Sequence, residues 1–427
     1  MKRLPARICA LVITVLLPSV AFAQKEPPHT KETKDAEKFI GLALTRQDPA
    51  QKKQYLEQAL PALRQAMQKN PENGRVWALA GSVLAGLGQF PAADSAWDKA
   101  VELHVGYTDQ IDNERHVAWE SAFNEAVELI NQQKTDEGIT ALERAELMYP
   151  HRPEAKFYLG VFYSQKDELD KAEQAFQSTI AATQGPLRAQ LQPAGVVEWD
   201  RMATNARIKL SNITAQRGAQ QYEKKDFAGA AASFVKAREM SPASRDHLYN
   251  QLQSVYADAL DVDKQRAAKK SPELDRRAVE LYTRVNILTD SLRLVDPRNE
   301  DIYFFSSRAH KVLSETGADA AAKTKHMNAL RAINTEYEKV QFILGDVQIA
   351  EGDTTATVKG TIYNKLLKPG ATGSITFELL GFDGKPIGSA PVNFTIPADA
   401  ATAKEPVKLP FEVTIPMSAS LAGWRYK

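Results

Sequence analysis

The sequence predicts a chain that is helical for most of its length and β at its end: stacked antiparallel helix pairs followed by a small β-sandwich. Three observations predict it. From about Phe39 to Val340, apolar residues recur three and four apart in a background rich in alanine, leucine, glutamine, glutamate and lysine. A glycine, a small residue and a ring recur at fixed offsets in three places, and after Val340 the apolar period falls to two. The 427 residues are 43% hydrophobic and 25% charged, the composition of a soluble globular chain of two or three domains. Lysine and arginine number 54 against 53 aspartates and glutamates, so no net field draws nucleic acid to the protein and none is expected as a partner.

Residues 1–23 read as an export signal. Lys2, Arg3 and Arg7 form a basic start, Ile8 to Leu17 an apolar run, Pro18 a break and Ala21-Phe22-Ala23 a small-residue cleavage site. Ten apolar residues make about 15 Å of helix against a hydrocarbon core of roughly 30 Å, too short for a span, and no later run is long enough. The single cysteine, Cys9, leaves with the signal, so neither a disulfide nor a lipid anchor is expected. The periplasm is the expected compartment, with secretion as the alternative. Residues 24–38 are expected to be a flexible lead-in, 39–340 a helical domain and 341–427 a β domain.

The helical part repeats. Trp77 and Gly81 are followed by Phe90, Ala93 and Trp97; Leu159, Gly160 and Tyr163 by Ala172 and Phe176; Gly218 by Phe227, Ala230 and Phe234. Each glycine stands twelve positions before an alanine and sixteen before a ring. Small residues at both positions let two helices approach closely, and the rings then fill the space between hairpins. These side chains are expected to be structural.

The pattern resembles the tetratricopeptide repeat, a 34-residue helix-turn-helix with the signature W-x2-L-G-x2-Y, A-x3-F, P. Leu159-Gly160-x2-Tyr163 with Ala172-x3-Phe176 follows it, with Lys156 in place of the tryptophan. Ala59, Leu63, Ala66 and Pro71, and again Leu142, Ala145 and Pro150, look like second helices of degenerate copies. The anchor glycines are 79 and 58 residues apart, so extra segments near 104–116 and 185–204 interrupt the array. Beyond Pro242 longer helices are expected at Arg245–Lys270, Pro272–Val295 and Asn299 to about Glu338.

After Val340, Val358, Gly360 and Ile362 alternate with polar neighbours, as do Ile375, Phe377 and Leu379, then Val392, Phe394 and Ile396, then Phe411, Val413 and Ile415. Asp383-Gly384 marks a hairpin turn. With Phe342–Ile349 and Trp424–Tyr426 this makes about six strands. Val358-x-Gly360-x-Ile362-x-Asn364 and Phe377-x-Leu379 before Phe382-Asp383-Gly384 resemble the FxLYD-type immunoglobulin-like domain, with Leu380 and Gly381 in place of its tyrosine and aspartate. Tyr363, Trp424 and Tyr426 are expected to be exposed.

No catalytic constellation is present. The seven histidines at 29, 104, 116, 151, 247, 310 and 326 form neither HExxH nor an i, i+4 pair. Asp258, Asp261 and Asp263 lack the glycine and glutamate of a calcium loop. Neither enzyme activity, cofactor nor metal is expected. In tetratricopeptide proteins the first helix of each unit lines a groove for a protein or peptide partner, and the resemblance assigns Ala78, Ser82, Ala85, Phe157, Val161, Ser164, Ala215, Ala219 and Tyr222 to that face. No lysine, arginine and asparagine clamp for a chain terminus stands there. The expected function is therefore a noncatalytic interaction scaffold, the alternative being a glycan-binding sandwich on a helical spacer.

Overall fold

A computed structural model describes residues 26–427 except 317–318, 353 and 400–406. The expected export signal, Cys9 included, lies outside the described residues. Among the described residues fourteen helices precede six strands: α1 (Lys31–Leu44), α2 (Pro49–Lys69), α3 (Gly74–Gly86), α4 (Phe90–Leu103), α5 (Thr108–Asn131), α6 (Thr135–Met148), α7 (Pro153–Gln165), α8 (Leu169–Thr183), α9 (Pro193–Glu223), α10 (Phe227–Met240), α11 (Arg245–Ala268), α12 (Pro272–Arg293), α13 (Glu300–Thr316) and α14 (Ala320–Glu338), then β1 (Phe342–Glu351), β2 (Thr355–Asn364), β3 (Thr372–Leu380), β4 (Pro386–Thr395), β5 (Lys408–Pro416) and β6 (Gly423–Tyr426). They form two compact units divided between Ala206 and Arg207, inside α9. The last helices and the strands thus share the second unit.

In the first unit α1 packs on α2, α3 on α4, α5 on α6 and α7 on α8. Residues 31–38, expected as a loose lead-in, are the first turns of α1. Thr30 and Thr33 cap one another reciprocally, and Thr33 and Ala36 are fully buried. The run is too polar to show a helical stripe, so the cap is its only local signal. Leu56, Leu63, Val83 and Ala96 fill one core, and Phe90, Trp97, Trp119, Phe123, Leu142 and Leu159 another. Trp77 touches both and is half-buried, its indole N–H donating to the Pro71 carbonyl at 2.7 Å.

Four turns, those of the α3–α4, α5–α6, α7–α8 and α9–α10 hairpins, close in the same way. Gly88, Gln133, Asp167 and Lys225 all have positive φ, between 59° and 74°, and the next residue's N–H reaches back five positions. Those bonds run from Gln89 to Leu84, Lys134 to Leu129, Glu168 to Tyr163 and Asp226 to Gln221, each 2.9 Å, and satisfy carbonyls the helix end would leave bare.

In the second unit α10 to α14 pack each on the next around Leu252, Val255, Tyr282, Val285, Leu292 and Phe305. The single helix expected from Asn299 to Glu338 is two, α13 and α14. Asp319 starts the second by accepting from the Ala322 N–H at 2.7 Å, a cap that the surrounding alanines hid.

The strands form two three-stranded antiparallel sheets, ordered β1-β2-β5 and β4-β3-β6. Val358, Ile362 and Ile415 of the first meet Ile375, Phe377, Leu379 and Val392 of the second in one core. Gly384 turns β3 into β4 at φ +74°. Trp424 and Tyr426, expected to be exposed, are buried in this core at 4% and 2% exposure because β6 pairs with β3.

Candidate interaction site

The glycine–ring offset has one physical meaning in each copy: the ring lies on the glycine. A Cβ on Gly81 would overlap the Trp97 indole, one on Gly160 would come within 2.7 Å of the Phe176 ring, and one on Gly218 within 3.2 Å of Phe234. Ala93, Ala172 and Ala230, four residues before those rings, are fully buried, and so is Phe176. Leu159, Phe90, Trp97 and Phe234 are buried, while Tyr163 and Phe227 are half-buried. A fourth copy, Ala126, Gly138 and Leu142, stands 34 residues before Gly160, Ala172 and Phe176, with the left-handed Gln133 in its turn. Sequence reading catches its second helix through Leu142, Ala145 and Pro150 but not its first, because alanine replaces the anchor glycine and leucine the ring; the offset of 34 was the available signal.

Residues assigned to the groove fall into different surroundings. Ala78, 3% exposed, lies inside the core and offers no surface to a ligand. Ser82 is half-buried where the start of α5 packs on α3, its hydroxyl donating to Glu114. The interruption seen in the sequence near 104–116 is thus the segment that covers this face. Near the second interruption, Trp199 is buried with its indole N–H donating to Glu154 at 3.3 Å, and Glu154 is held by Arg152 through two bonds of 2.6 and 3.1 Å. Arg152 also lies 4.3 Å from the Trp119 ring centre. Together with burial, its charge holds His116 below the usual histidine range.

Ala85, Phe157, Val161 and Ser164 are half-exposed. The Phe157 and Phe176 rings meet in a T-shaped pair with centres 5.8 Å apart, and the Ser164 hydroxyl donates to the Gly160 carbonyl at 2.8 Å. In the second unit Ala215 is half-exposed and Ala219 exposed, and Tyr222, 39% exposed, meets Phe227 edge-on.

The second unit holds a site with no local signature. Asp296, 2% exposed, accepts from Arg245 (Nε at 2.8 Å, and Nη2), from the Tyr426 hydroxyl at 2.6 Å and from Asn299 at 2.9 Å. The Arg298 N–H donates to the same tyrosine oxygen at 2.8 Å, and Arg245 also lies over Trp424. Burial beside Asp296 pushes the Tyr426 phenol far up. The last strand is thereby fastened to the α12–α13 turn. Beside it opens a cleft of about 900 Å³ whose lining includes Tyr249, Glu300, Tyr337, Asp346, Tyr363 and Lys365. Its tyrosines are committed: Tyr249 donates to Asp301, Tyr337 to Glu300 and Tyr363 to Asp346 at 2.6 Å. Burial and Glu300 push Tyr337 up to about 12. Asp346 adopts φ +56° in the bulge of β1, which aims its carboxylate at Tyr363.

Among the described residues no group of three or more histidines, cysteines, aspartates or glutamates could hold a metal. Asp258 and Asp263 are engaged by Arg277 and by Arg266 and Arg308, and Asp261 by Gln265. Ser211 and His247 are 2.7 Å apart but sealed, the serine donating to the Ala237 carbonyl. Burial holds His247 down, so the pair fixes helices in its neutral form. No helix among the described residues is long and apolar enough to cross a membrane.

The geometry is that of a tetratricopeptide-like helix-hairpin array followed by a β-sandwich. Residues 123–186 match the tetratricopeptide repeat family model, a span holding the Ala126 and Gly160 copies. No curated protein matches the chain. Similar solved structures include the C-terminal part of a repeat-containing protein from Cytophaga hutchinsonii, 12% identical over 71% of this chain and 95% of that one (TM-score 0.22). YrrB, described as a tetratricopeptide protein with an unusual peptide-binding site, is 16% identical over 52% and 92% (TM-score 0.20). Yeast Tom70 is 13% identical over 75% and 68% (TM-score 0.20).

Proposed function

We propose that the protein is an exported, noncatalytic scaffold of a Gram-negative-type envelope that docks a protein or peptide partner on its helix hairpins. The observation that carries this reading is the repeated hairpin itself, with rings on small residues and identical turns, together with the repeat match over 123–186. Such an array holds side chains in place before a partner arrives, which reduces the ordering cost of association. On the first unit the face proposed for docking centres on Val161 and Ser164 of α7, since Ala78 is covered and Ser82 is tied to Glu114. The basic start, apolar run and small-residue site in residues 1–23 support export. The burial of Trp424 and Tyr426 removes two of the three aromatics on which a glycan-binding sandwich would draw.

The test uses the full chain expressed in its own cell. It is expected in the osmotic-shock fraction, cross-linking to a defined partner that the Val161→Arg, Ser164→Arg double variant no longer captures, with its helical circular dichroism unchanged. Retention in the cytoplasm would overturn the export reading. Equal capture by the double variant would overturn the docking face.

A further inference from the structure

Helix α14 is lightly held. Of its nineteen residues only Ile333 is buried. Its last turns are fastened by polar contacts: Asn334 to Ser307 at 2.9 Å, Glu336 to Arg293 at 2.6 Å and to Tyr303 at 3.3 Å, and Tyr337 to Glu300. Among the described residues, the first half of the helix has one side-chain hydrogen bond to another helix, between His326 and His310 of α13. The two Nδ1 atoms are 2.9 Å apart. The ring centres are 5.2 Å apart, as far as two imidazoles facing nitrogen to nitrogen would be, so the nitrogens meet head-on. That arrangement fits one N–H donating to one lone pair. It also argues against a shared metal ion, whose ligands would point at a common centre rather than at each other.

A head-on imidazole pair holds a single proton between its facing nitrogens. Once both rings are cationic, both nitrogens are donors, and attraction becomes repulsion. The surroundings add little relief. From α12 come Arg293, which disfavours a second cation, and Asp290, which favours one; Asn286 brings its amide nitrogen within 3.4 Å of His310. From α14 itself comes Lys325, close enough to oppose protonation of both rings.

We propose that His310 and His326 form an acid-sensitive latch, which holds the first half of α14 on α13 at neutral pH and releases residues 320–329 on mild acidification while the last turns stay docked. Burial first holds both histidines below the usual range, followed by the facing His326 for His310 and by Lys325 for His326. Folded-state depression means the contact is intact above the unfolded histidine value of about 6.5 and is lost as pH falls below it.

Hydrogen exchange on the full chain at pH 7.5 and pH 5.0, corrected for intrinsic chemical rates, tests the latch. Exchange in residues 320–329 is expected to rise severalfold at the lower pH while residues 333–338 stay protected. His326→Gln and His310→Gln keep a neutral polar group, and in either variant exchange of 320–329 is expected to be independent of pH, whatever its level. No acid-induced rise in the parent chain would overturn the latch. So would an equal rise in both variants.

Discussion

In three of the hairpins that follow the repeat, helices meet through a ring laid on a glycine, as Trp97 lies on Gly81 and Phe176 on Gly160. At two places where the pattern breaks, a buried carboxylate joins the elements, Asp296 at the last strand and Glu154 beside Trp199. The two devices fail differently. A packed ring loses area and leaves a cavity when cut back, and neighbours can partly collapse. A buried carboxylate, once removed, leaves a buried cation short of its partner and hydroxyl or indole donors without an acceptor.

The largest effect therefore tests the second device. Asp296→Ala leaves the Arg245 guanidinium, of which only 13% of the side chain is exposed, with the solvent-exposed Asp246 alone at 3.2 Å, and takes the acceptor from Tyr426. Denaturant unfolding of the second unit should show a loss of about 3–5 kcal/mol. Tyr426→Phe, which deletes one hydroxyl while leaving the charge pair, should cost about 1–3 kcal/mol. If the two variants were equally mild, the carboxylate would not be the fastening.

That contrast also explains what the sequence made legible. Gly81, Gly160 and Gly218 were found because the partner ring is sixteen residues away on the next helix, so spacing records the contact. Asp296 and Tyr426 are 130 residues apart, and alternation alone placed Tyr426 at an open strand end. Glu154 and Trp199, 45 apart, are hidden for the same reason. The family's groove positions misplace Ala78 because the longer α5, noticed only as an interruption, folds over α3. Local periodicity reports what a residue does within its own hairpin; contacts made across inserted segments leave no period.

Within the first device the tightness is graded. Alanine at Gly81 drives a methyl into the Trp97 indole, at Gly160 it meets a ring at 2.7 Å, and at Gly218 it meets the Phe234 ring and the Ser233 side chain at 3.2 Å. Overpacking costs typically about 1–3 kcal/mol. The losses on unfolding should fall in the order Gly81→Ala, Gly160→Ala, Gly218→Ala, and the reverse order would mean that the ring contact does not set the helix separation.

The smallest expected effect separates the hairpins by their turns rather than their faces. All four turns demand a left-handed residue, yet only one copy has glycine there, Gly88; the others use Gln133, Asp167 and Lys225. A side chain in that region costs roughly 1–2 kcal/mol for lack of room between Cβ and the following carbonyl, part of which glycine's greater unfolded-state freedom cancels. A Cβ at Gly88 would meet nothing within 4 Å, so the penalty there is conformational alone. Gly88→Ala should therefore destabilise by about 1 kcal/mol, while Lys225→Gly should stabilise by a similar or smaller amount. Removing glycine from one turn and introducing it at the equivalent position of another would then change stability in opposite directions, read from paired denaturation midpoints. Equal signs would show that the Lys225 side chain has a role in its turn that outweighs the strain of holding it there.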